Sequence, residues 1–324
     1  MRVKRTQAVL AALATTSALA LGACGGDSIK DADTPAGATK DCGDLNMAVN
    51  PWVGFEADAH VVGYVAQTEL GCTVSYKDLD EQVSWKGFGN GSVDVVIENW
   101  GHPELEKKYF ADAGGDGSAE DAGLTGNNGV IGWYVPPWMA EKYPDITDWN
   151  NLNKYADLFK TSESGDLGTL YDGDPGFVTN DEALVKNLDL NYKVVYAGSE
   201  DALIEAFRTA EENKTPMIGY FYEPQWFLAE VPLVKVNLPK YTDGCDADPA
   251  KVACDYPPYP LNKIVSTKWM DSGSPAVNLV KNFNWTNDDQ NLVAKYIAQD
   301  QMDPDDAAKK WVEANQDKVD AWLK

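Results

Sequence analysis

The sequence predicts an α/β fold with largely parallel sheets. Strand-length apolar runs alternate with helical stripes along most of the chain, the pattern expected of sheets covered by helices. Aromatic residues also gather where predicted strands end, and in open α/β sheets that is where ligands sit.

Taken in order, the chain opens with Arg2, Lys4 and Arg5, an apolar run over 8–21, and then Leu21-Gly22-Ala23-Cys24. A basic head, a short apolar core and small residues before a cut describe a secretory signal peptide over 1–23. The run falls short of the roughly 20 residues that a membrane span needs. A cysteine directly after Leu-Gly-Ala resembles a bacterial lipobox, in which Cys24 carries lipid and becomes the mature N-terminus. Residues 24–41 are rich in Gly, Asp, Ala and Thr and almost lack large apolar side chains, so they read as a flexible tether. The body that follows is long enough for one large domain or two ordinary ones. It is expected at the outer face of the cell membrane, extracytoplasmic and held there by the lipid.

In the body, 45–50 reads as a strand and 59–70 as a helix, with a stripe of Val61, Val62, Val65 and Leu70 that stops at Gly71. Strands follow over 73–76, 93–97 and 130–135, the last closed by Pro136-Pro137. A strand over 193–196, a helix over 201–212 and a strand over 217–222 come next, and the C-terminal part is mostly helical. There, Asp303-Pro304-Asp305-Asp306 combines a cap, a first-turn proline and acids at the positive end of the helix dipole.

The formal net charge of -24 argues against nucleic acid or anionic lipid as a partner, since both would be repelled. With Cys24 lipidated, four of the five cysteines remain, and in an oxidising compartment they read as two disulfides with three possible pairings. Cys42–Cys72 and Cys245–Cys254 are favoured. Cys42 precedes the first strand and Cys72 opens the second, while Cys245 and Cys254 flank an Asp/Pro-rich loop. Metal binding is the alternative, but there is no CxxC and the chain has 2 histidines.

The 11 tryptophans and 15 tyrosines exceed what a core of this size requires. Trp149, Trp269, Trp285, Trp311 and Trp322 sit on or near predicted helices and read as packing residues. Trp52, Trp100, Trp133-Tyr134 and Tyr220-Phe221-Tyr222 instead follow or end predicted strands. Trp100 lies in a polar loop, Glu98-Asn99-Trp100-Gly101-His102-Pro103, where no core-facing period exists. Converging rings suit a methylated ammonium, which donates no hydrogen bond and is held by ring faces. Each such contact contributes about 0.5–1 kcal/mol when exposed and about 2 when desolvated. Sugars also stack on rings and are the competing use.

Four stretches resemble the glycine betaine/choline-binding proteins of ABC importers, and the likeness runs from about Leu45 to the C-terminus. Asp94-Val95-Val96-Ile97-Glu98-Asn99-Trp100-Gly101-His102-Pro103 looks like that family's strand ending in a cage tryptophan before a proline. Asp174-Pro175-Gly176 matches its Pro-Gly turn, and Tyr220-Phe221-Tyr222-Glu223-Pro224 a second strand ending in an aromatic. Met302-Asp303-Pro304-Asp305-Asp306-Ala307-Ala308-Lys309-Lys310-Trp311 resembles its C-terminal helix.

The resemblance implies a two-lobed periplasmic-binding-protein fold of type II, with a hinge and a ligand cleft between lobes. Lobe I would comprise 42–132 and 230–324, and lobe II 133–229. It also implies a cage of Trp52 and Trp100 from the first lobe with Trp133 and Tyr222 from the second, and a membrane permease subunit as partner. The family often has tryptophan where Tyr222 stands, and Phe177 takes a position where relatives vary. Choline-binding members place an aspartate soon after the first cage tryptophan, whereas Trp52 is followed by Val53, Gly54, Phe55 and Glu56. A betaine held by backbone N–H groups near Gly54 or Gly176, or by His102, is therefore expected ahead of choline or carnitine. Glu98, Glu104 and Glu223 cut the other way, because negative charge around the cage suits a purely cationic ligand.

An enzyme is the first rival. His60 falls in a predicted helix and reads as structural, no GxSxG or HExxH occurs, and no carboxylate pair is singled out. A carbohydrate- or cell-wall-binding lipoprotein, using the rings as stacking platforms, is the second. The acidic, glycine-containing stretch over 112–121 lacks EF-hand spacing and reads as a solvated loop. No dinucleotide or phosphate-loop pattern occurs, so no cofactor is expected.

Overall fold

A computed structural model describes residues 42–177 and 179–324. The expected signal peptide, Cys24 and the tether lie outside the described residues. The strands are β1 (Asp44–Val49), β2 (Thr73–Asp78), β3 (Val95–Asn99), β4 (Ala119–Val135), β5 (Gly168–Asp172), β6 (Tyr192–Tyr196), β7 (Gly219–Glu223), β8 (Val234–Lys235) and β9 (Tyr259–Ser266). They run in the order β2-β1-β3-β9-β4-β7-β5-β6, with β8 paired to β4.

Strand β4 belongs to two sheets. Its residues 119–129 pair with β9 in the first sheet, and 130–135 pair with β7 and β8 in the second. The outer strands are parallel as expected: β1 with β2 and β3, and β5 with β6 and β7. At the centre the expectation fails, because β9 runs antiparallel to β3 and β4, and β4 antiparallel to β7. The chain leaves the first sheet along β4 and re-enters it on β9, so these two strands must oppose each other. The sequence signal covered only 130–135. The earlier part of β4, including residues expected to be loop, carries Gly123 and Gly126 at positive φ and shifts register twice, which hides the alternation.

Helix α1 (Val53–Leu70) starts ahead of its predicted position, with Trp52 as an extended N-cap that makes no side-chain cap bond. The cap comes from elsewhere in the chain: Glu200 Oε2 accepts from the Val53 amide at 2.8 Å. No local motif could reveal that. At the other end Gly71 adopts φ 70°, and its amide donates to Ala66 O, a left-handed stop that suits glycine. Helices α2 (Glu81–Asn90) and α3 (Pro103–Tyr109) follow β2 and β3.

The C-terminal helices contribute a tryptophan-rich core. Trp285 meets Trp311 edge-on at 5.3 Å, and Trp311 stacks on Trp322 at 5.7 Å. The Asp303 carboxylate caps the helix Pro304–Ala314 by accepting from Asp305 N at 3.0 Å. His60 packs on Tyr76 and pairs with Asp305 at 2.7 Å. One disulfide joins Cys42 to Cys72, with Cα atoms 4.7 Å apart, where β1 and β2 begin side by side. The other joins Cys245 to Cys254 across 6.4 Å. Among the described residues no helix is long and apolar enough to cross a membrane.

Candidate functional site

Strand β3 is buried along its whole length and delivers Glu98 into the interior, 1% exposed. Glu98 Oε1 accepts from Trp52 Nε1 at 2.8 Å and from Trp100 Nε1 at 2.6 Å. Its Oε2 accepts from Gln290 Nε2 at 2.5 Å. Among the described residues no Lys or Arg forms an ion pair with Glu98, so three N–H donors serve its carboxylate. Behind it, burial and then Glu98 itself push the Asp58 carboxyl well above the usual carboxylate range.

Both indoles are thereby fixed at one wall of a cleft of about 590 Å³. Trp100 rests on Gly129 of β4, where an added Cβ would lie 2.5 Å from the ring. Its ring meets Tyr222 edge-on at 5.7 Å and Tyr259 at 5.7 Å. Trp52 meets Phe177 edge-on at 5.8 Å, and Phe177 meets Tyr220 at 6.1 Å. Gly173 makes room for Phe177, since a Cβ there would stand 2.6 Å from its ring. Six aromatic residues, Trp52, Trp100, Phe177, Tyr220, Tyr222 and Tyr259, thus line one cleft.

Trp133 does not line it. The cleft wall on β4 is Ile131, the register partner of Tyr222. Trp133 lies one pleat repeat, about 7 Å, deeper in the second half. It is 1% exposed there and donates Nε1 to Asp181 Oδ1 at 2.8 Å. Tyr256 donates to the same oxygen at 2.6 Å. Strand-end position alone did not distinguish a core indole from a cleft indole.

Gly176 is likewise outside the lining, and its amide donates to Asp174 Oδ1 at 2.7 Å. His102 does line the cleft, but its Nε2 faces Glu81 Oε1 at 2.5 Å. Burial disfavours the imidazolium, yet the Glu81 charge and hydrogen bond outweigh it and raise the His102 pKa above its ordinary value. Of the three glutamates flagged in the sequence, Glu98 stands behind the indoles and Glu104 lines the mouth, paired with Lys107 at 2.7 Å. Glu223 is exposed and outside the lining.

Sequence reasoning missed Tyr259, Gln290 and Asp246. Tyr259 had a weak signal, an aromatic between prolines at the start of a strand, whereas Gln290, near the start of the helix Asn287–Ala298, has none. Asp246 lines the cleft from the loop stapled by Cys245–Cys254. The Tyr220 and Tyr259 hydroxyls and the Asn180 carboxamide carry no hydrogen bond among the described residues and line the same cleft.

Two α/β halves about an aromatic cleft define a binding protein of the two-lobed, type II periplasmic class. Residues 43–314 match the substrate-binding domain of ABC-type glycine betaine transport systems, and the chain belongs to that family. It is 27% identical over 272 residues to the trimethylamine N-oxide-binding protein of Pelagibacter ubique (strain HTCC1062), covering 82% of this chain and 85% of that one. The fold is similar to that of lactococcal OpuAC in its closed form with glycine betaine. That likeness has a TM-score of 0.67 at 22% identity, and covers 87% of this chain and 99% of that one. A choline-binding protein of an ABC transporter, in complex with choline, gives a TM-score of 0.69 at 20% identity, over 87% of this chain and 92% of that one.

Proposed function

We propose that the cleft captures a small methylated-ammonium solute and presents it to the membrane permease of an ABC importer. The observation that carries this is the set of six rings backed by the Glu98 carboxylate. Ring faces attract a cation that cannot donate hydrogen bonds, and a desolvated contact of this kind contributes about 2 kcal/mol. A buried carboxylate behind two of the rings adds field of the same sign. Trp52, Trp100, Phe177, Tyr220, Tyr222 and Tyr259 are the cage in this reading, and His102 shapes the mouth.

The electrostatics revise the order of ligands that the sequence suggested. A betaine carboxylate needs donors, but Gly54 and Gly176 lie outside the cleft lining, the Val53 and Gly176 amides are taken by Glu200 and Asp174, and His102 is paired with Glu81. Asp246 also lines the cleft and disfavours an anion, whereas Glu104 is balanced by Lys107 of the same lining. The free tyrosine hydroxyls and Asn180 suit a single ligand oxygen, the strongly accepting N-oxide oxygen or an alcohol, rather than a carboxylate. Trimethylamine N-oxide and choline are accordingly placed ahead of glycine betaine and carnitine.

Calorimetric titration with these four solutes and a neutral sugar tests the reading. Saturable binding of a methylated amine, lost in Trp100→Ala, supports it. Binding of the sugar alone would make the rings stacking platforms and sink the cage.

The proposal includes two lobes, with the crossings at the 129/130 junction of β4 and at β9. This moves the boundaries expected at 132/133 and 229/230, a reading supported by the pairing of β8 in the second sheet and by the Tyr256–Asp181 bond. It also includes export and lipid attachment at Cys24, which places the protein on the outer face of the membrane. Loss of the membrane-bound fraction in Cys24→Ala, with secretion retained, is the expected result; an unchanged fraction would refute the anchor.

A further inference from the structure

Among the hydrogen bonds of the described residues Glu200 reaches the rings of the cleft only at the Tyr222 hydroxyl, yet it connects both halves of the molecule. It opens the helix Glu200–Asn213 beside the second sheet, where Ser199 caps the first turn. Its Oε2 reaches the start of α1, beside the first sheet, and accepts from Val53 N at 2.8 Å. Its Oε1 accepts from the Tyr222 hydroxyl and from Gln225 Nε2. Val53 directly follows Trp52, and Tyr222 is the ring that faces Trp100. One carboxylate is therefore bonded to the backbone behind a ring from one half and to the hydroxyl of a ring from the other.

We propose that Glu200 is a positioning residue that assembles the cage on closure, by bridging the Val53 amide of one lobe to the Tyr222 hydroxyl of the other. What the closed form gains by this rests on the cage function proposed above. The bridge itself rests on geometry alone.

Three features support it. The first amides of a helix have no partner within the helix, and Trp52 supplies no side-chain cap, so α1 needs an acceptor from outside. The positive end of the α1 dipole also favours an acceptor oxygen there. Moreover, the acceptor sits on the opposite half, so it can serve only when the halves meet. In an open form the Val53 amide and the Glu200 carboxylate would each return to water. Closure would then trade two hydrated groups for a hydrogen bond that also fixes the phenol of Tyr222.

The surroundings make the bridge proton-sensitive. Glu200 borders a second cavity of about 560 Å³ that is also lined by Glu56, Asp78, Asp80 and Asp201. Glu98 and Tyr222 face it from β3 and β7, and Asp201 adjoins it on its own helix. Burial is the largest influence and pushes the Glu200 carboxyl up to about 7, against the lowering effect of the Tyr222 and Val53 bonds. A pKa raised in the closed form means that closure takes up a proton. That contribution to closure is complete below the ordinary carboxylate range near 4.5 and fades as pH rises through about 7.

The test uses the full chain with Glu200→Gln and Glu200→Ala, read by calorimetry with trimethylamine N-oxide, choline and glycine betaine, and by small-angle X-ray scattering. Circular dichroism first checks that each variant keeps the wild-type fold. Glu200→Ala is expected to bind about tenfold or more weakly, and to scatter as a more open particle. Wild-type affinity is expected to fall several-fold from pH 5 to pH 7.5, and Glu200→Gln to flatten that slope, which a merely structural role would not do. Equal affinity and equal scattering in Glu200→Ala and wild type would overturn the proposal, as would an unchanged pH slope in Glu200→Gln. If wild type binds none of the amines, the cage reading fails on its own. The scattering comparison still decides Glu200: a more open Glu200→Ala supports the bridge, and superimposable profiles end it.

Discussion

Trp52 and Trp100 donate their indole N–H groups to the same oxygen of Glu98, at 2.8 and 2.6 Å. The two rings come from segments 48 positions apart in the chain, yet a single acceptor sets their separation and tilt.

Glu98→Gln should therefore loosen both rings together. The carboxamide keeps a carbonyl oxygen but loses the charge, and hydrogen bonds to charged groups are worth about 1.5–3 kcal/mol each. A loss of at least tenfold in affinity for a methylated amine is expected by calorimetry, with a change in tryptophan emission of the free protein. Unaltered affinity would remove Glu98 from the account of the cage.

Gly129→Ala tests the seat of Trp100. The new methyl would approach the ring to 2.5 Å, so the ring must move. Overpacking of this kind costs about 1–3 kcal/mol. The expected result is a larger drop in solute affinity than in thermal midpoint, because the ring can yield towards the cleft more easily than the strand can bend.

Trp133→Phe should show the reverse pattern. It removes the donor to Asp181 from a site 1% exposed, at a cost of about 1–3 kcal/mol in stability. Affinity should change less than threefold; a large loss would return Trp133 to the cleft.

Stability should fall as the solution becomes less acid. Burial pushes Asp172 up to about 6, and raises Asp58 and Asp181 well above the carboxylate range. A carboxyl whose pKa is raised on folding stabilises the fold below its unfolded value and ceases to do so as pH passes its folded value. The thermal midpoint is expected to be highest near pH 5 and to decline by several degrees towards pH 7.5. Asp172→Asn should shrink the decline, and a midpoint that rises over this range would contradict the reading.

Removing the Cys245–Cys254 bond should cost affinity as well as stability. The loop it closes contributes Asp246, Ala247 and Pro249 to the cleft. Its effect on the unfolded chain is roughly 2–4 kcal/mol. The double serine variant is expected to bind several-fold more weakly at temperatures where it remains folded, as measured by calorimetry.

Much of the architecture was legible because short-range patterns carry it. The Val61-Val62-Val65 stripe ending at Gly71, and the cap at Asp303, are decided by neighbours along the chain. The polar context of Trp100 and the strand end at Tyr222 pointed to the cleft for the same reason. Trp133 looked alike in sequence, but its fate depends on Asp181, which approaches through the fold. Tyr259, Gln290 and the remote cap of α1 were hidden for that reason too. The length of β4 was hidden by glycines whose backbone, rather than any side-chain period, makes the strand.

On β4, Gly129 is the last residue paired to the first sheet, through Tyr259, and Val130 is the first paired to the second, through Glu223. The seat of the Trp100 ring is thus also one of the points where the chain passes from one sheet to the other. A rotation of one half against the other, as the two-lobed reading proposes, would twist the peptide on which that indole lies. In the two-lobed reading proposed above, opening would withdraw support from the ring in the same movement that uncovers the cleft, and release of the solute would need no separate signal at the cage.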